Sequence, residues 1–115
     1  MRLEKVKHLL LVRNMENGIR FYREVFGFEL EIEGRMWSEL KWGDLILALH
    51  GGGDGSANPT DISFQVDNIV AACRIIQEQG GRIVSPPDKR PEEPIVMAVF
   101  RDPEGNECMV TQYVG

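Results

Sequence analysis

The chain has 115 residues, 43% of them hydrophobic, which suits one domain with a core of its own. Its net charge of -5 argues against nucleic acid as a partner, and no apolar run approaches the ~20 residues that span a membrane. The N-terminus lacks the pattern of a signal peptide, and the two cysteines form no disulfide framework, so we expect a reduced, cytoplasmic protein.

The first half of the chain reads as a strand, a helix and three further strands. Alternating residues predict a strand over 5–12, and Asn14 is a suitable N-cap for the next element. Residues 15–26 show the apolar period of an amphipathic helix, which Gly27 is placed to end in a left-handed conformation. Three strands separated by polar turns follow at about 28–33, 36–42 and 45–50.

The Gly-rich segment 51–59 is interpreted as a linker, because it does not match the pattern of a phosphate-binding loop. Beyond it the same pattern begins again: Val12, Asn14, Arg20 and Gly27 recur 54 positions later as Val66, Asn68, Arg74 and Gly81. The chain is therefore predicted to contain an internal repeat of one structural unit.

The second half is predicted to repeat the order of elements. Its strands are expected at 61–66, 82–85, 95–101 and about 106–113, with a helix over 69–79. The four prolines within 85–94 predict a long exposed loop, since proline cannot pair in a central strand. Asp-Pro-Glu-Gly at 102–105 predicts a tight turn.

These elements predict an α+β fold built from two βαβββ modules, residues 1–50 and 60–115, joined by the linker 51–59 in one domain, 1–115. One helix can cover only one face of its sheet. The opposite faces of both sheets are therefore free to line a shared cavity.

Three strings now resemble a known family: VRNMENGIRFYREVFGFEL, ISFQVDNI and FRDPEGN. They are similar to the vicinal oxygen chelate (VOC) superfamily of glyoxalases, bleomycin-resistance proteins, fosfomycin-resistance enzymes and extradiol dioxygenases. The resemblance covers essentially the whole chain. It implies paired βαβββ modules that form an open cup, usually within a homodimer, and it leaves open whether modules pair within one chain or between two.

In the metal-dependent members, four side chains lining the cup hold the ion. The resemblance places those positions at Lys7, Ala48, Asp61 and Met109. Protonated lysine and alanine offer no lone pair, and a thioether prefers soft metals. We therefore expect no catalytic metal and no cofactor. Lys7 and Asp61 are repeat equivalents of opposite charge, and we expect them to approach each other or to face a common ligand.

Strand alternation nominates further ligand-binding residues. His50 shares the side of Ala48 and is a candidate to orient a ligand, whereas His8 should point toward the helix unless the register slips. The remaining candidates share the side of Asp61 and Met109: Ser63, Gln65, Glu107 and Thr111. Such a mixture of apolar and polar groups is typical of small-molecule pockets.

Three functions compete. The first is a glyoxalase/bleomycin-resistance-like protein that binds a small molecule in its cup without metal, and the acidic net charge favours a cationic ligand. The alternative is a metal-dependent VOC enzyme, a lactoylglutathione-lyase-like lyase or isomerase, or a dioxygenase, with an atypical ligand set around His50 or His8. The third is a dimeric interaction module without a ligand. Whether the chain is an enzyme stays open at this point.

Overall fold

The computed structural model describes residues 1–115 and confirms the α+β class with two βαβββ modules in one chain. The first module contains β1 (Lys7–Val12), α1 (Met15–Phe26), β2 (Glu29–Ile32), β3 (Trp37–Trp42) and β4 (Leu45–Gly51). The second contains β5 (Asn58–Gln65), α2 (Ile69–Glu78), β6 (Arg82–Lys89), β7 (Ile95–Arg101) and β8 (Asn106–Tyr113). Neither helix is long and apolar enough to cross a membrane.

Each module forms its own four-stranded sheet with the same topology. The strand orders are β1-β4-β3-β2 and β5-β8-β7-β6, and the first strand of each module pairs in parallel with the last. The other neighbours are antiparallel. The internal repeat is therefore a repeat of structure as well as of sequence.

Both helices begin where their capping residues predict, and α1 also ends there, whereas α2 ends at Glu78, one residue before the predicted end. The side chain of Asn14 accepts a hydrogen bond from Asn17 N, and that of Asn68 accepts one from Ala71 N, which satisfies an N–H left free in the first turn. Gly27 ends α1 in the left-handed region at φ 78°.

The helix-facing sides of the two sheets share one core with α1 and α2. Its centre is an aromatic cluster that joins the modules, in which the Phe26 ring of α1 stacks on Phe64 of β5 at 4.2 Å. Phe21 and Tyr22 of α1 are fully buried beside it, as is Phe100 of β7. Because this core uses only one side of each sheet, the other side of each sheet stays outside it.

A second contact between the modules is polar and is made by the DPEGN turn. The buried side chain of Asn106 accepts from Leu11 N at 3.0 Å and donates to Leu11 O at 2.7 Å, so it pairs with β1 as a neighbouring strand would. Its amide also donates to Asp102, which accepts from the hydroxyl of Tyr22 at 2.6 Å. Burial raises the pKa of Asp102, and burial together with that carboxylate holds the pKa of Tyr22 well above its ordinary value.

Glu104 completes this polar contact. Its carboxylate accepts from the backbone N–H groups of Arg13 and Asn14, the residues that lead from β1 into α1. The turn therefore fixes the position of β1, and of the side chains that β1 presents, relative to the second module.

The prediction for residues 85–94 was partly wrong. β6 does not end at 85 but continues to Lys89 through Pro86 and Pro87, and only the remainder forms the loop. The reason is that β6 lies at the edge of its sheet and its register with β7 shifts between Ser85 and Asp88. A proline at an edge bulge deprives no neighbouring strand of a hydrogen bond. The segment joining the modules spans 52–57, because β4 includes Gly51 and β5 begins at Asn58.

Candidate functional site

The side of the first sheet that faces away from the helices is called the first open face. The strand register brings together there Lys7, Leu9 and Leu11 of β1, Ile46, Ala48 and His50 of β4, and Trp37, Glu39 and Lys41 of β3. Leu9 and Leu11 remain 52% and 39% exposed, so the chain leaves this face uncovered along β1. It combines an apolar floor with a small set of polar side chains, as ligand sites do.

A charged cluster occupies the place of the expected metal ligands. Glu39 lies directly opposite Ala48 in the register of β3 and β4. One of its carboxylate oxygens accepts from Lys5 Nζ at 2.8 Å, and the other contacts Lys7 Nζ at 3.1 Å. The second oxygen also accepts from Trp37 Nε1 at 2.8 Å. A carboxylate and an ammonium thus stand together at Lys7, one of the positions that the resemblance assigns to a metal ligand.

The cluster fixes the ionisation of Glu39. Donation from Lys5, then from Trp37, and more weakly from Lys7, lowers the pKa of Glu39 to about 2 against the effect of burial. The side chain is only 3% exposed, and Lys5, Lys7 and the Trp37 indole all contact its carboxylate. At neutral pH the carboxylate is ionised, and its hydrogen-bonding capacity is used within the chain.

Two aromatic rings extend the cluster. The Lys7 ammonium lies 5.1 Å from the centroid of the Trp37 indole, within the range of a cation–π contact. The imidazole of His50 meets the same indole edge-on at 5.8 Å. The structure therefore brings together the predicted site residues Lys7 and His50. His8 pairs with Leu47 on the helix-facing side and takes no part, as strand alternation predicts.

The second open face is the corresponding side of the second sheet, and the remaining predicted site residues lie along it. Ser63 and Gln65 of β5 pair with Met109 and Thr111 of β8. Glu107 of β8 forms an ion pair with Arg101 Nε at 3.1 Å. Thr111 is 6% exposed and is the one buried member of the predicted set.

Within one chain, Asp61 does not pair with Lys7. It lies exposed in the irregular part of β5 between Pro59 and Ser63 and makes no salt bridge within the chain, whereas Lys7 is bound by Glu39 of its own module. Sequence equivalence between the modules does not bring the two residues together, because β1 and β5 are edge strands of separate sheets.

The side chains of the first open face offer no donor set for a divalent metal ion. No three His, Cys, Asp or Glu side chains lie close enough together to hold a metal ion. The carboxylate nearest the expected position, Glu39, already accepts from three protein donors. The residues of the first open face do not fit such an ion.

Sequence reasoning missed Glu39 and two concavities that border the open faces. An apolar groove of about 380 Å³ runs between the β3–β4 hairpin and β5, lined among others by Trp42, Leu45 and Phe64. A polar hollow of about 310 Å³ lies between the joining segment and Glu104. Alternation along β3 could have placed Glu39 beside Trp37, but its position opposite Ala48 needs the register of two strands.

The family follows from a match over most of the chain. Residues 5–110 match the model of the Glyoxalase/Bleomycin resistance protein/Dioxygenase superfamily. The chain belongs to this superfamily. A search of curated protein sequences gives no match.

Solved structures with the superfamily fold agree along the whole chain. An integron cassette protein from V. cholerae is 29% identical, with a TM-score of 0.69, and the match covers 98% of each chain. A virulence protein from Salmonella typhimurium is 29% identical, with a TM-score of 0.70, and the match covers 99% of this chain and 100% of that one. A superfamily enzyme from Burkholderia phytofirmans has a TM-score of 0.79 at 18% identity over 93% and 96% of the two chains, which shows the fold alone.

Proposed function

We propose that this superfamily member binds a small molecule without a catalytic metal. The observation that carries the proposal is the Lys7–Glu39 pair on the first open face, with Ala48 opposite Glu39. The first open face, which we take as one wall of the superfamily cup, carries the ammonium groups of Lys5 and Lys7 on the carboxylate of Glu39. An ion would have to displace Lys5 and Lys7 from Glu39 before it could bind.

We further propose that the cup is completed by a second copy of the chain. Within one chain the two open faces lie outside the shared core, and the first leaves Leu9 and Leu11 uncovered. A twofold pair can place the second open face of one copy against the first open face of the other, which buries apolar surface on both. The ligand would then lie between Lys7 of one copy and the Ser63–Gln65 strand of its partner.

The location that suits this function is the cytoplasm. Both cysteines are free and buried, and a reducing compartment keeps such thiols unpaired.

The test is a thermal-shift panel on protein stripped of metal by a chelator that is then removed by dialysis. Small aromatic acids, amines and neutral analogues are screened, each with and without Zn²⁺, Ni²⁺, Fe²⁺ or Mn²⁺. Stabilisation by an organic compound at equal strength with and without metal supports the proposal. Stabilisation that needs one equivalent of metal, and that is lost in His50→Ala, contradicts it and favours the metal-dependent enzyme instead.

A further inference from the structure

We infer that the first open face takes a ligand with a carboxylate attached to a flat aromatic body. The carboxylate is held by the Lys7 and Lys5 ammonium groups and the ring lies beside Trp37. This inference rests on the proposed small-molecule binding and specifies its chemical class.

The charge of the cluster favours an anionic ligand. Two ammonium groups face one carboxylate whose pKa lies near 2, so the cluster bears one net positive charge at neutral pH. The other carboxylate paired nearby on this module, Glu31, is engaged by Lys41 at 3.8 Å. The cluster is therefore a local positive site on a protein whose overall charge is -5. The overall charge favours a cationic ligand, but the local charge, which acts at contact distance, favours an anion.

The Lys5 and Lys7 ammonium groups have unused N–H donors that can bind the carboxylate of a ligand. An ammonium has three N–H donors. The Lys5 and Lys7 groups each contact Glu39 and make no other hydrogen bond in the chain. Their side chains are 45% and 32% exposed, so the unused donors are accessible to a ligand. Glu39 holds both ammonium groups in place, which reduces the entropy lost when they bind an anion.

The Trp37 indole provides a surface for the aromatic ring of the ligand. Trp37 is only half-buried, and its ring is fixed by the hydrogen bond from Nε1 to Glu39 and by the edge of His50. Because Lys7 lies 5.1 Å from the ring centroid, an anion bound to Lys7 is next to the indole. A flat ring attached to that anion can stack on Trp37 over the apolar floor of Leu9 and Leu11.

The experiment uses three probes with the same naphthyl ring and different charge: 1-naphthoate, 1-naphthamide and 1-naphthylmethylammonium. The chain has two tryptophans, so Trp42→Phe leaves Trp37 as the only indole reporter. Trp42 is 63% exposed. Because side chains alternate along a strand, it lies on the opposite side of β3 from Trp37 and the cluster. Binding is followed by indole quenching and by calorimetry.

We expect 1-naphthoate to quench Trp37 saturably and to bind at least tenfold more tightly than either other probe. Lys7→Gln should bring naphthoate down to the affinity of the amide, and Lys5→Gln should lower it less. The charge-matched control is Arg74→Gln, which removes one positive charge from the exposed side of α2 and should change nothing. Circular dichroism checks that each variant is folded.

Several results would overturn the inference. These are equal affinity for all three probes, preference for the ammonium, or equal losses in Lys7→Gln and Arg74→Gln. Quenching of Trp42 in Trp37→Phe, together with no quenching of Trp37 in Trp42→Phe, would assign binding to the apolar groove instead. If another class of compound binds in the thermal-shift panel and naphthoate does not, the ligand class is wrong and the binding function stands. Naphthoate binding that requires metal would contradict the metal-free function and leave the ligand class intact.

Discussion

Replacing Glu39 with glutamine tests the charged cluster most simply. Glutamine keeps the size of the side chain and an oxygen for Trp37 Nε1, but it removes the charge that Lys5 and Lys7 contact. The shift in the pKa of Glu39 from 4.5 to about 2 corresponds to about 3 kcal/mol at 1.36 kcal/mol per unit. The two lysines are 45% and 32% exposed, so solvent screening lowers the expected loss at pH 7 to about 1–2 kcal/mol.

The pH dependence gives this prediction its sign. Folding lowers the pKa of Glu39, so its contribution is fully present above pH 4.5 and is lost as the pH falls toward about 2. The difference in free energy of unfolding between the wild type and Glu39→Gln should therefore shrink over that range. Urea unfolding followed by circular dichroism measures it from pH 7 downward, and Asp102, common to both proteins, cancels in the difference.

The matched control is Glu107→Gln, which breaks the Arg101 ion pair on the second open face and should cost about 0–1 kcal/mol. A difference for Glu39→Gln that stays constant from pH 7 to pH 3, or that is no larger than the control, would refute the reasoning.

Three further predictions follow from the same structure. Asn106→Ala should lower the free energy of unfolding, measured in urea, by about 3 kcal/mol, because it leaves buried partners on β1 unpaired. The control Asn58→Ala removes one hydrogen bond to Asn106 and should lower it by about 1 kcal/mol. Light scattering should give twice 13.0 kDa for the wild type and 13.0 kDa for Leu11→Glu, and a monomeric wild type would contradict the shared cup. Burial raises the pKa of Cys108 to about 11 and that of Cys73 in the same direction, so neither thiol should react with a disulfide reagent at pH 8 until urea unfolds the chain.

Local signals were sufficient for the order of the elements and for the start of each helix. An Asn before each helix and a glycine after α1 act through their own backbone neighbours, so a single sequence contains the information. The recurrence of this pattern 54 residues later predicted the second module, which the structure confirms.

Strand ends that depend on a strand's position in the sheet were predicted less well from the sequence. Pro86 and Pro87 exclude a central strand, but nothing in their own sequence shows that β6 is an edge strand with a bulge. In the same way, the prolines alone do not show that the strand continues to Lys89.

The composition of the site depends on register and was only partly predictable. Alternation placed Lys7 and His50 on one side of the sheet, and the structure brings them to the same indole. It did not show that Glu39 lies opposite Ala48, because that pairing depends on the length of the β3–β4 turn. Once Glu39 is in place, it is the partner of Lys7, and the expected pairing with Asp61 is not formed within the chain.

The central claim is that the cup binds its ligand without metal, and one titration tests it most directly. Protein is purified, analysed for bound elements, stripped of metal and dialysed, and 1-naphthoate is then titrated calorimetrically in the absence and presence of one equivalent of Zn²⁺, Ni²⁺, Fe²⁺ or Mn²⁺. We expect the same dissociation constant in every titration of the wild type and a larger one for Lys7→Gln. Binding that appears only with one equivalent of metal and vanishes when the metal is removed would contradict it.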